Sequence, residues 1–233
     1  MAKQKTMKPK RIILIRHGES EGNVDRSIYA DIPDYAVKLT EKGKEQARHA
    51  GSLLKNTIGD GKVFFYVSSF HRTRMTYQEI SKAFTPEQQD MREDPRLREQ
   101  EWSGTLRINF SPQAQEAMEA ERDAYGHFYY RFHGGESCAD VYDRISTFLD
   151  TMNRDFAKEN FPENVVIVNH GMTARVFLMR WFHMTVEEFE LLRNPHNCAQ
   201  IVMELQPDGK YKITSELLKY NKPTHPYQMP LDT

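Results

Sequence analysis

Ile12-Ile13-Leu14-Ile15-Arg16-His17-Gly18-Glu19 is the stretch on which the fold turns. An unbroken aliphatic run, mostly β-branched, reads as a strand buried on both faces, the kind found inside a parallel sheet. The glycine ends it and lets backbone approach a ligand closely. In open α/β sheets ligands bind beyond the C-terminal ends of the strands, so the run delivers Arg16 and His17 to that edge. A permanent cation beside an imidazole suits an anionic group, phosphate first. Taken alone, the tripeptide could equally be a charged surface turn.

Working outward, strand and helix signals alternate, which predicts an α/β fold with helices on both faces of a parallel sheet. Thr40 caps a helix that runs to Ile58, with Ala47, Ala50, Leu53 and Leu54 at helical spacing, and Gly59-Asp60-Gly61 ends it. Val63–Val67 is a second strand, followed by Ser68 and a helix over about 71–84 that carries Arg72. The stretch 96–102 reads as extended. Gly135-Glu136-Ser137 opens a helix with Val141, Ile145, Phe148, Leu149 and Met152 on one face. Val165–Val168 is another strand, and it ends as the first does, in His170-Gly171. If these two strands are neighbours, their imidazoles face one crevice. Thr185-Val186-Glu187-Glu188 is a capping box. Ile201–Leu205 and Tyr211–Ile213 read as closing strands joined by Pro207-Asp208-Gly209.

The region 105–134 departs from this alternation. Ser111-Pro112 is a helix start, a polar helix runs to about Asp123, and Tyr125, Phe128, Tyr129, Tyr130 and Phe132 follow. It reads either as an insertion over the ligand-binding edge or as a surface helix whose aromatics fill the core.

The chain has 233 residues, 28% of them charged, with a net charge of -1. No global field favours nucleic acid or a membrane surface, so an anion site must be local. The basic start, residues 1–10, lacks the apolar core of a signal peptide and reads as a solvated flexible tail. The tail over 221–233 reads as irregular, and no stretch is long and apolar enough to span a bilayer. Cys138 and Cys198 form no CxxC pair and read as free thiols in a reducing, cytoplasmic setting. No metal-ligand spacing and no phosphate-binding glycine loop occurs, so no metal and no cofactor is expected.

The paired His-Gly strand ends, Leu39-Thr40-Glu41-Lys42-Gly43, Ser68 to Arg72, Leu97-Arg98-Glu99 and Gly135-Glu136-Ser137 together resemble the histidine phosphatase superfamily, which includes the cofactor-dependent phosphoglycerate mutases. The likeness covers residues 11–220, with the motifs in the same order. Arg98–Trp102, Ala124–Arg131 and Arg175–Trp181 are most similar to the phosphoglycerate mutase-like proteins of plants and fungi.

The resemblance implies a three-layer α/β/α sandwich around a mostly parallel sheet. It implies a phosphomonoester hydrolase of the histidine acid phosphatase type, acting on a small phosphorylated substrate. His17 is then the nucleophile that becomes a phosphohistidine, its other ring nitrogen held by an acceptor such as a backbone carbonyl. Arg16, Arg72 and His170 surround the phosphoryl oxygens. Glu99 is the general acid and then the base, which predicts an acidic pH optimum. If 97–101 is extended, Glu101 points to the same face, and spacing alone does not separate the two. Asn23 and Gly171 are expected at the phosphoryl group, with Asn197 a weaker candidate. Arg131 and Tyr130 are candidates for a second substrate anion, or simply a snorkelling arginine and a core tyrosine. Ser103, followed by Gly104, stands where many members have glycine four residues after the acid. A bisphosphoglycerate-dependent mutase is the alternative, disfavoured because 105–134 has neither an Arg-Arg pair nor a proline run. An inactive phospho-ligand binder is a third reading. A homodimer is left open.

Overall fold

The computed structural model describes residues 8–102 and 112–220. The readings at Ser103, Gly104 and Ser111, along most of the basic start and in the tail after Tyr220, lie outside the described residues.

Strand β1 (Arg11–Arg16) is followed by a one-turn helix α1 (Glu21–Val24). Helix α2 (Glu41–Ile58), strand β2 (Val63–Val67), helix α3 (His71–Ser81) and strand β3 (Gln89–Glu93) come next. Then follow α4 (Pro112–Tyr125), α5 (Cys138–Phe156), β4 (Asn164–Asn169), α6 (Gly171–Phe182) and α7 (Val186–Glu190). The closing strands are β5 (Gln200–Leu205) and β6 (Tyr211–Ile213).

The sheet has six strands in the order β3-β2-β4-β1-β5-β6. β3, β2, β4 and β1 pair in parallel, while β5 runs antiparallel to β1 and β6 to β5. This is the expected α/β sandwich. Ile12 and Leu14 face a core shared with α5 and α6, whereas Ile13 and Ile15 face one shared with α2. All four are at most 1% exposed, and each contributes roughly 1.5–3 kcal/mol by burial.

The local signals act as chemistry requires. Thr40 accepts from the Gly43 N–H at the start of α2. Gly59 ends that helix at a φ of 65°. Ser137 and Thr185 each close a capping box. Leu53 is a correction: it is 47% exposed, because the neighbouring Leu54 takes the inward position beside Ala47 and Ala50. β3 has no counterpart in the sequence reading. Its residues, Gln89-Asp90-Met91-Arg92-Glu93, form a polar edge strand without apolar alternation.

The extended reading of 96–102 is corrected at its start. Pro95–Leu97 makes a single 3-10 turn and the chain runs on outside any ladder, because Asp94 caps that turn. The aromatics before α5 divide: Phe128, Tyr130 and Phe132 are buried, whereas Tyr125 and Tyr129 are exposed. Lys8 and Pro9 bond to the closing hairpin through Gly209 and Tyr211. Among the described residues, no helix is long and apolar enough to cross a membrane.

Candidate active site

The parallel ladder between β1 and β4 aligns Arg16 with Asn169. Just beyond it, the His17 N–H donates to the Asn169 carbonyl at 3.0 Å. Two adjacent strand ends therefore present His17 and His170 side by side. Their ring centroids lie 5.3 Å apart, edge to face, and both are buried.

The His17 Nδ1 lies 2.7 Å from the Gly18 carbonyl oxygen. A carbonyl only accepts, so this contact assigns the hydrogen to Nδ1 and leaves Nε2 with a lone pair and no hydrogen. Arg72 Nε donates toward that Nε2 at 3.3 Å. Burial, reinforced by Arg72 and then Arg16, pushes the His17 imidazole well below its ordinary pKa. The loop is pinned from three sides. The Gly18 N–H donates to Thr76 Oγ1 at 3.0 Å, and Asn197 Nδ2 donates to the His17 carbonyl at 2.9 Å. A Cβ on Gly18 would come within 2.4 Å of the Gly43 carbonyl oxygen, so only glycine lets the start of α2 pack here.

His170 sits at the N-cap of α6, with Nε2 2.8 Å from Ser68 Oγ at the end of β2. Burial, with Arg72 and His17 next to it, pushes this imidazole down as well. A Cβ on Gly171 would lie 2.9–3.1 Å from the Asn194 side chain. Arg16 Nη1 donates to the Pro195 carbonyl at 2.8 Å. Its Nε, His170 Nδ1 and the Asn169 side-chain amide are buried without a hydrogen-bond partner. Unsatisfied buried polar groups are rare and call for an explanation; the Arg16 guanidinium and the neutral donors gathered beside it at these strand ends fit an anion.

Glu99 and Glu101 separate clearly. The Glu99 carboxyl group accepts from the Met172 and Thr173 N–H groups at 3.2 Å each, at the N-terminus of α6. Glu101 is tied by its backbone to Glu136, donating to Oε2 at 3.1 Å and accepting from the Glu136 N–H at 2.9 Å. The two residues are thus told apart by their partners, which spacing alone does not record. Arg144, from α5, clamps this loop by donating to the Arg96 and Glu99 carbonyls and to both Glu136 oxygens.

Asn23 Oδ1 accepts from the Ser20 N–H and from Asn197 Nδ2. The other two candidates bond near the insertion instead: Arg131 pairs with Asp140 at the start of α5, and the Tyr130 hydroxyl donates to Glu121. Sequence reasoning missed Asp34, Tyr29, Thr76 and Arg144. Asp34 binds Arg72 directly, and Tyr29 lies within electrostatic reach of Asp34 and Arg72. Among the described residues, no group of three His, Cys, Asp or Glu side chains could hold a metal ion.

The family model of the histidine phosphatase superfamily (branch 1) matches residues 12–216. The chain belongs to the histidine phosphatase superfamily. Among the superfamily's curated members, it is 44% identical over 227 residues to a phosphoglycerate mutase-like protein of Arabidopsis thaliana, covering 91% of this chain and 79% of that protein. It is 30% identical to a broad-range acid phosphatase of Saccharomyces cerevisiae, covering 91% of each. Among solved structures, one titled "Mycobacterial hydrolase 1" superposes with a TM-score of 0.72 at 18% identity, over 91% of this chain and 100% of that one. A mycobacterial glucosyl-3-phosphoglycerate phosphatase complexed with VO3 superposes at 0.67 and 18% identity, over 90% of this chain and 98% of that one. The structural likenesses bear on the fold. The family and its named phosphatases make this histidine phosphatase a phosphatase-type hydrolase; the mutase alternative is not better supported.

Proposed function

We propose that this chain hydrolyses small phosphomonoesters through a phosphohistidine at His17 Nε2. The observation that carries this is the fixed tautomer of His17: Nδ1 bound to the Gly18 carbonyl and Nε2 turned toward Arg72. In the first step Nε2 attacks phosphorus, the N–P bond forms, and the bond to the leaving oxygen breaks. Glu99 gives that oxygen its proton. Arg16, Arg72 and His170 stabilise the charge on the equatorial oxygens, His170 most strongly once a bound dianion has favoured its protonation. Asn23 offers its amide NH2, since its oxygen is already engaged, and Gly171 opens α6 beside the same group. In the second step Glu99 takes a proton from water. The water oxygen attacks phosphorus, the N–P bond breaks, and inorganic phosphate leaves.

Arg131 and Tyr130 belong to the segment over 105–134, which we assign to reading the leaving group. The free state of Cys138 and Cys198 supports a reducing, cytoplasmic setting.

The test is to incubate the protein with a 32P-labelled phosphomonoester and quench it. Label should be retained by the parent and absent from His17→Ala, whose turnover should drop at least about a thousandfold. Undiminished turnover in that variant rejects the mechanism. Incubation with 3-phosphoglycerate and catalytic 2,3-bisphosphoglycerate should release inorganic phosphate without accumulating 2-phosphoglycerate; accumulation would assign a mutase.

A further inference from the structure

Arg72 is the arginine nearest the nucleophile, and a segment from elsewhere in the chain holds it. After α1 the chain makes two short 3-10 turns, Arg26–Ala30 and Asp34–Ala36. The second carries Asp34 across to Arg72. The Asp34 carbonyl and Oδ1 both accept from Arg72 Nη1, at 2.7 and 2.8 Å. Oδ2 makes a long contact with Nη2 at 3.5 Å. The pair is shielded, with side chains only 4% and 14% exposed, so solvent screens it weakly.

A guanidinium has five N–H groups in a rigid fork. Asp34 occupies those on Nη1. Nε points at His17 Nε2, so the edge formed by Nε and Nη2 faces the position a phosphoryl group would take on His17. That edge suits bidentate binding of two phosphoryl oxygens. The Asp34 carboxylate lies just behind it, an anion next to where another anion must bind and leave.

We propose that Asp34 is a positioning residue of the phosphoryl site: it fixes the edge that Arg72 presents, and its charge limits how tightly free phosphate is held. This rests on the phosphohistidine reading above. It gives the loop between α1 and α2 a role in turnover through product release. Tyr29, on the same loop, is near enough to feel both charges.

The experiment compares Asp34→Asn and Asp34→Ala in the full chain, using p-nitrophenyl phosphate as substrate and inorganic phosphate as inhibitor. Asparagine keeps an acceptor oxygen and removes the charge. It should tighten phosphate inhibition by roughly tenfold, the size expected for one nearby like charge, and should lower kcat together with KM. Alanine also loses the orientation, and kcat/KM should fall by about a hundredfold. If the alanine variant does not fold, the asparagine variant decides. A folded Asp34→Asn protein with unchanged phosphate inhibition overturns the proposal, as does a folded Asp34→Ala protein with the parent's kcat/KM. An active His17→Ala protein would instead remove the reading underneath. A dead His17→Ala protein beside a kinetically unaltered Asp34→Asn one removes this inference alone.

Discussion

His17 and His170 are both held below the ordinary imidazole pKa, burial being the first cause and the Arg72 guanidinium the next. At neutral pH both are uncharged, as a nucleophile with a free lone pair requires. The arrangement has a consequence for stability. The unfolded chain binds a proton at each histidine near pH 6.5, whereas the folded chain does not until a much lower pH. Folding stability is therefore fully present above about pH 6.5 and declines as pH falls below it, by up to ~1.4 kcal/mol per pH unit for each histidine. The carboxylates with lowered pKa, Asp155 and Glu79 among them, start from 3.8 for aspartate and 4.5 for glutamate, so they act below this window. Thermal melts between pH 7 and 5 should show a falling midpoint, and His170→Asn should roughly halve that slope. An equally steep slope in the variant would place the proton uptake elsewhere. The candidate site residues were legible because each came inside a short motif. Asp34 and Arg144 were not, because each acts through contacts 38 to 48 residues away in sequence, which no local periodicity records.

Among the elements, the junction of α2 with the nucleophile loop is the tightest. A Cβ on Gly43 would come within 2.0 Å of the Glu19 carbonyl oxygen, and backbone cannot yield as a side chain can. Gly43→Ala is expected to cost about 1–3 kcal/mol through overpacking and to reduce kcat while KM changes little, since it shifts the His17 loop. Urea denaturation and steady-state kinetics would show both effects; a variant matching the parent in both would mean the helix start can move away freely. At this scale the sequence spoke clearly wherever a buried element needs a strong signal. The aliphatic runs of β1 and β4, the threonine and serine caps and the positive-φ glycine at the end of α2 all left one. β3 left none because an edge strand in solvent tolerates polar residues, and Leu53 misled because helical spacing does not distinguish an inward position from its flank.

In the whole molecule the sheet order puts β1 and β4 at the centre, where neighbouring strand ends form the crevice in which open α/β sheets bind ligands. The proposed reaction is assigned to that crevice, and the leaving group to the segments around it. Tyr129 is exposed in the segment over 105–134, the segment we assign to reading the leaving group. Tyr129→Ala should change kcat/KM between aryl and alkyl phosphates by several-fold, about the worth of one aromatic contact, and leave inhibition by inorganic phosphate unaltered. A change in phosphate inhibition would connect the segment to the cage itself.

The hydrogen bond from the His17 N–H to the Asn169 carbonyl extends the sheet one step past its last paired residues. The spacing of the two imidazoles is thus a property of main-chain geometry, set by the distance between paired strands. Substitutions in the surrounding loops can exchange one clientele for another without altering that spacing. The main chain alone thus holds the proposed phosphoryl site in place, and the loops around it are free to vary without moving it.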